Sequence, residues 1–149
     1  MDLFARTFLP AAADAGLDMP AIGRHLPVIR RCLGADAVLL VTRCTGPGRM
    51  AGDYLLAATR HRLVVVYESR VVRRVRLHLD APLAELSDVS WSADPTGTHL
   101  ELAATAIDGI RERFAIRPRR NETLRQLGIR LGKVFGPAPV PAQQLARAA

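Results

Sequence analysis

The chain has 149 residues, 49% of them apolar, with 21 lysines and arginines against 14 aspartates and glutamates and a net charge of +7. A chain of this length folds as one domain with modest extensions and buries roughly 68–70% of its unfolded surface, so its core needs no disulfides. No apolar run approaches the ~20 residues of a membrane-spanning helix.

Met1-Asp2-Leu3-Phe4-Ala5-Arg6 places an acid where a secretory signal carries positive charge, and Pro10 interrupts the short apolar stretch behind it. The expected location is the cytoplasm, with peripheral contact at the membrane as its extension. Residues 1–34 read as a helical N-terminal extension. Leu3, Phe4, Phe8 and Leu9 allow a short helix, broken at Pro10 because proline lacks a donor and clashes with the preceding turn. Leu3, Phe4 and Phe8 either pack on the domain or dock on a partner or a second copy. A better helix runs from Met19 to Leu33, with Asp18 as cap, Pro20 at its first position and Ile22, Leu26, Ile29 and Leu33 at helical spacing. Pro27 is its weak point, and Gly34 ends it.

Residues 35–135 change to strand patterning. Strands are predicted at 37–43, 54–59, 62–67, 71–79, 86–91, 98–104 and 110–116, mostly separated by segments with Gly, Pro, Asp or Ser. In the fourth, Val71, Val75, Leu77 and Leu79 share one face and Arg74, Arg76 and His78 the other, with Glu68-Ser69-Arg70 as a tight hairpin before it. Ile110, Phe114 and Ile116 face the core in the seventh, where Glu112 sits awkwardly on the apolar side. Asn121 then caps a helix from Glu122 to Phe135 whose stripe is Leu124, Leu127, Leu131, Val134 and Phe135, while Gly128 and Gly132 permit close approach to the sheet. Residues 136–149, rich in proline and alanine, read as a flexible tail. The fold class is mainly β with α: a seven-stranded antiparallel sandwich or partly open barrel capped by its C-terminal helix.

Leu55-Leu56-Ala57-Ala58-Thr59-Arg60-His61-Arg62-Leu63-Val64-Val65-Val66 resembles a signature of bacterial pleckstrin-homology-like (PH-like) domains, an aliphatic pair followed by T-x-x-R-L and valines. Leu83-Ala84-Glu85-Leu86-Ser87-Asp88-Val89-Ser90 is similar to the fifth strand of that family, and the resemblance covers about residues 33–135. It implies a barrel that binds peptides, proteins or lipid head groups. In phosphoinositide-binding members basic residues at the end of strand one and the start of strand two clamp phosphates. Only Arg43 and Arg49 match that region here, and Asp53-Tyr54-Leu55 lacks the basic pair.

His25, His61, His78 and His99 are scattered without a nucleophile or carboxylate at a recognisable spacing, although Asp88 and Asp94 fall near His99 across a turn. No enzyme, metal site or cofactor is expected. Cys32 and Cys44 are expected as reduced thiols, with a bridge between them as the alternative. Of the basic residues only Lys133 is a lysine, a bias that GC-rich codons explain without a ligand. Two arginine clusters are nevertheless the binding candidates. Arg70, Arg74 and Arg76, with Arg60 and Arg62, are expected to form one basic surface; Arg111 and Arg113, with Arg117, Arg119 and Arg120, form another. The competing reading is a solvated face balanced by Glu68, Glu85, Glu101 and Glu112. Trp91 is a core or corner residue, or an exposed anchor. The leading functional expectation is a non-enzymatic interaction or scaffold domain that contacts a protein partner through its sheet edge or loops. The alternative is peripheral binding to an anionic membrane or polyanion through the arginine face. Nucleic acid fits less well, because no aromatic platform interleaves the arginines. A homo-oligomer stays open.

Overall fold

In the computed structural model, which describes residues 2–46 and 52–136, two helices precede the sheet. Helix α1 spans Leu3–Asp14 and α2 spans Met19–Leu33. Asp2 caps α1 by accepting the Ala5 N–H at 2.9 Å, and Asp18 caps α2 through the Ala21 N–H at 2.9 Å. The Asp2 carboxylate also pairs with Arg30 of α2, whose guanidinium lies 5.5 Å from the Phe4 ring centroid. Pro10 does not break α1, and Pro27 does not split α2. Both prolines sit on the exposed face, opposite Phe4, Phe8, Ile22 and Ile29. Burying such side chains contributes about 1.5–3 kcal/mol each, which together outweighs the ~3 kcal/mol cost of an internal proline.

The strands are β1 (Leu40–Thr45), β2 (Gly52–Ala58), β3 (Arg62–Ser69), β4 (Val75–Pro82), β5 (Ser87–Ala93), β6 (Leu100–Thr105) and β7 (Arg111–Ile116), followed by α3 (Leu124–Phe135). They form one antiparallel sheet in the order β4-β3-β2-β1-β7-β6-β5. The sheet is not closed, and β4 and β5 are its edges. Its centre is a short join, where Cys44 and Thr45 pair with Ile116 and Ala115.

Two apolar layers sandwich the first half of the sheet. On the inner face Leu40, Leu56, Leu63 and Val65 pack with Leu102, Phe114, Leu127 and Leu131, so α3 plugs the space between the sheet halves. On the outer face Val41, Leu55, Val64 and Val66 pack against Phe4, Phe8, Ile22 and Ile29. The N-terminal helices are therefore part of the core, and of the two arrangements open to Phe4 and Phe8 the fold adopts packing on the sheet. Cys44 belongs to the inner cluster and Cys32 packs against the outer one; both are free thiols, with burial pushing that of Cys44 up to about 12.

Several local expectations change. The fourth strand starts at Val75, because residues 70–74 form the turn, and Val71 is 88% exposed instead of facing the core. A bulge opposite Val65/Val66 inserts His78 into β4. The face therefore flips: Val75 packs on the outer cluster, Leu79 on the inner one, and His78 turns toward Tyr54 and Phe114. Glu112 is accommodated because His78 lies 3.2 Å from its carboxylate. Ile110 precedes β7 and is exposed. Thr123 rather than Asn121 caps α3, in a reciprocal capping box with Gln126, and Asn121 instead takes a left-handed turn conformation at φ 67°. Trp91 is a corner residue. It covers the glycine face of α3, where a Cβ on Gly128 would come within 3.2 Å of the indole, and its Nε1 donates to the Gly136 carbonyl at 3.3 Å.

Because the helical layer shares the sheet, Phe8→Ala should cost about 3–5 kcal/mol. Denaturant unfolding followed by Trp91 fluorescence, a probe across the sheet, should show this loss in one transition. An unchanged Trp91 midpoint would mean that the helices fold independently.

Candidate anion-binding end of the sheet

Alternation along β3 sends Val64 and Val66 to the outer face, and Glu68 follows them beneath α2. Its side chain is only 3% exposed, so the carboxylate requires compensation. Arg24 provides it with a fork, Nε to Oε2 at 2.7 Å and Nη2 to Oε1 at 3.1 Å. Arg73 approaches from the β3–β4 turn at 3.5 Å, and His25 Nε2 lies 3.7 Å away. The Arg24 hydrogen bonds, more than any other influence, hold the Glu68 carboxyl below the ordinary carboxylate range. Burial pushes the His25 imidazole below its ordinary value, against the pull of Glu68. The expectation that Glu68 balances a solvated face is thus corrected. The signal available in the sequence was its parity with Val64 and Val66.

The β3–β4 turn is built by Ser69. Its Oγ accepts from the N–H groups of Val71 and Val72 at 3.3 and 3.4 Å, and its carbonyl accepts from Arg73 N–H at 2.9 Å. Arg73 takes a left-handed conformation at φ 55°. Val71 and Val72, 88% and 70% exposed, stand at the tip, with Arg70, Arg73, Arg74 and Arg76 around them. Asp53 at the start of β2 lies 3.5 Å from Arg70 and 3.8 Å from Arg43 at the end of β1. A small cleft of about 140 Å³ opens between α2 and this end, lined by Arg24, His25, Arg43, Asp53, Glu68 and Arg73. Across Arg43 and Asp53 it adjoins a larger one of about 350 Å³ that reaches Arg117, Arg119 and Arg120.

Arg43, Arg70, Arg74 and Arg76 thus gather at one end of the sheet, and Arg49 lies outside the described residues. Arg60 and Arg62 do not join them. They occupy the β2–β3 turn at the other end of β3, where Arg62 Nε donates to Asp80 at 2.6 Å. Thr59, fully buried, accepts the His61 and Arg62 N–H groups at 3.2 and 3.1 Å. Two of the three residues that distinguish the sequence signature therefore fasten this turn and β4. Arg111 and Arg113 are likewise engaged. Arg111 donates to the Asp88 carbonyl and to Thr105 Oγ1, each at 3.0 Å, fixing the bulge of β5, and Arg113 pairs with Glu101 at 3.4 Å.

Asp94 and His99 do meet across the β5–β6 turn, at 3.5 Å. Asp94 there accepts the backbone N–H groups of Thr96, Thr98 and His99, an arrangement that organises the loop. His25 and Glu68 also converge at a cleft, but 140 Å³ is below the ~300–1,000 Å³ of small-molecule sites, and Arg24 occupies the carboxylate. Among the described residues no group of three His, Cys, Asp or Glu side chains is placed to hold a metal. What this end offers chemically is a set of guanidinium forks suited to phosphate or carboxylate oxygens.

The Glu68 cluster sets a pH dependence. His25, depressed in the fold, takes a proton more readily in the unfolded chain, so stability should decline as pH falls below about 6.5. Glu68, also depressed, contributes stability that is complete above its unfolded value and is lost as pH falls through its folded one. Thermal melts should therefore show two acid-side declines, with His25→Gln removing the upper. Glu68→Gln should lessen the lower, which it shares with Asp2, Asp94 and Glu122, and cost about 1.5–3 kcal/mol at neutral pH. No protein-family model, curated protein or solved structure matches the chain.

Proposed function

We propose that this protein is a non-enzymatic, PH-like recognition module that docks on anionic membrane surface through its β3–β4 turn. The observation that carries this reading is the pair of exposed valines, Val71 and Val72, set among Arg70, Arg73 and Arg74 on a turn that Ser69 caps, with Arg76 following in β4. A basic residue near an anionic bilayer contributes about 1 kcal/mol, and a valine withdrawn from water adds up to about 1.5–3 kcal/mol. The combination gives weak, reversible binding with both salt-sensitive and salt-insensitive components. Ile107, 80% exposed in the β6–β7 turn, supports the same orientation, because the antiparallel register of β7 on β1 puts that turn beyond the same end of β1. The PH-like assignment is supported by the strand order and by the C-terminal helix packed between the sheet halves. No helix of the described chain is long and apolar enough to cross a membrane, so attachment of this kind would be peripheral.

Sedimentation with phosphatidylcholine vesicles containing about 30% phosphatidylserine tests the proposal. Binding should weaken as salt rises and be lost in Arg70→Ser/Arg74→Ser/Arg76→Ser. Val71→Asp/Val72→Asp should lower it strongly with the folded melt unchanged, and unaltered sedimentation of both variants would reject this role for the turn.

A second reading, a protein partner adding a strand, is supported by Leu77, 49% exposed on the edge strand β4. It predicts a partner retained by Val71→Asp/Val72→Asp and released by Leu77→Lys, as read by affinity capture.

A further inference from the structure

We propose that the cleft between the N-terminal helical layer and the β7–α3 connection binds a phosphate monoester carried on a small organic body. The cleft measures about 350 Å³ and is walled by Arg43, Arg117, Arg119 and Arg120, with Asp53 as its one carboxylate. Ala15, from the link between α1 and α2, closes one side, so the N-terminal helices help to form it.

The local fold explains why Arg117, Arg119 and Arg120, unlike Arg43, have no ion pair among the described residues. After Ile116 the chain leaves β7, passes Pro118 and turns at Asn121 into the Thr123 cap. Glu122 fixes this connection by accepting the Arg119 backbone N–H at 3.0 Å, and its carboxylate is then filled by Arg130, which donates to both oxygens at 2.8 Å. The acid nearest in sequence is thereby consumed. Among the described residues the guanidinium groups of Arg117, Arg119 and Arg120 have no ion pair, and Arg119 Nε is buried without a hydrogen-bond partner. Buried donors ordinarily have a partner, so this one marks the connection as unusual.

The ligand chemistry follows from the walls. Arginine forks match the paired oxygens of a phosphate, and a doubly charged monoester answers the surplus of positive charge. The volume exceeds that of a bare phosphate and falls in the range of small-molecule sites. The apolar surface of Ala15, Ala115 and Pro118 offers contact to an organic body next to the phosphate. Two sources carry such a group: a soluble metabolite, or a lipid with a monoester head group.

Calorimetric titration of the full chain with phenyl phosphate, at low salt and neutral pH, tests the site. Saturable one-to-one binding is expected, tighter than that of inorganic phosphate and of benzenesulfonate. Arg119→Gln/Arg120→Gln, confirmed folded by circular dichroism, should weaken it by about tenfold or more. Arg60→Gln and Val71→Asp/Val72→Asp should leave it unchanged, which separates this site from the membrane-docking turn. Vesicles containing phosphatidic acid distinguish the source. Sedimentation competed by phenyl phosphate and lost in Arg119→Gln/Arg120→Gln assigns the lipid head group; binding of phenyl phosphate with no effect of those changes on sedimentation assigns a soluble ligand. Absence of saturation at about 10 mM phenyl phosphate, or equal affinity in the wild type and Arg119→Gln/Arg120→Gln, overturns the proposal.

Discussion

Residues 55–58 of β2 and 63–66 of β3 are buried on both faces, and this double burial is the constraint on which the rest of the molecule depends. An antiparallel sheet commonly keeps one wet face. Here α1 and α2 remove it on one side, while α3 and the second half of the sheet remove the other. Each strand therefore needs apolar side chains at consecutive positions, and the two helices must be in place for the outer set to leave water. The same requirement keeps Pro10 and Pro27 inside intact helices, since the stripes opposite them are anchored to the sheet.

Burial on both faces also decides where charge must be handled. β3 outlasts its apolar run by two residues, and the outer one, Glu68, enters low dielectric beneath α2. Arg24 compensates it, His25 is held neutral beside it, and Arg73 is drawn in from the turn. These contacts tie the β3–β4 turn to the helical layer. They present Val71 and Val72 outward while Arg70, Arg74 and Arg76 stay exposed. The larger basic cleft follows from the same architecture, because the helical layer ends beside β1 where the chain departs from β7. Function, in this reading, sits at the seam where an added helical layer meets the open end of a sheet.

How much of this is visible from residues alone can be judged at particular positions. The order of seven strands and a terminal helix was legible because aliphatic runs broken by Gly, Pro, Asp and Ser leave few other arrangements. The stripe Leu124, Leu127, Leu131, Val134 and Phe135 was legible as a cap for the same kind of reason, and Gly128 as the point of close approach. Register was not. The bulge at His78 reverses the faces of β4, and nothing in the alternation of that segment records an extra residue. The arginines misled in a related way: Arg60 and Arg62 lie close in sequence to Arg70, yet a strand length of β3 separates them in space.

What the sequence determined by itself was the fold class, the cap helix and the surplus of arginine over acid, because hydrophobic period and composition are local properties. Which charges are consumed and which are left over was settled by the packing of remote elements. Arg24, Arg62, Arg111 and Arg130 find acids or carbonyls, and among the described residues Arg117, Arg119 and Arg120 have no ion pair. Charge pairing is set by distances across elements remote in the chain, and those distances exist only once the two apolar layers have closed on the sheet.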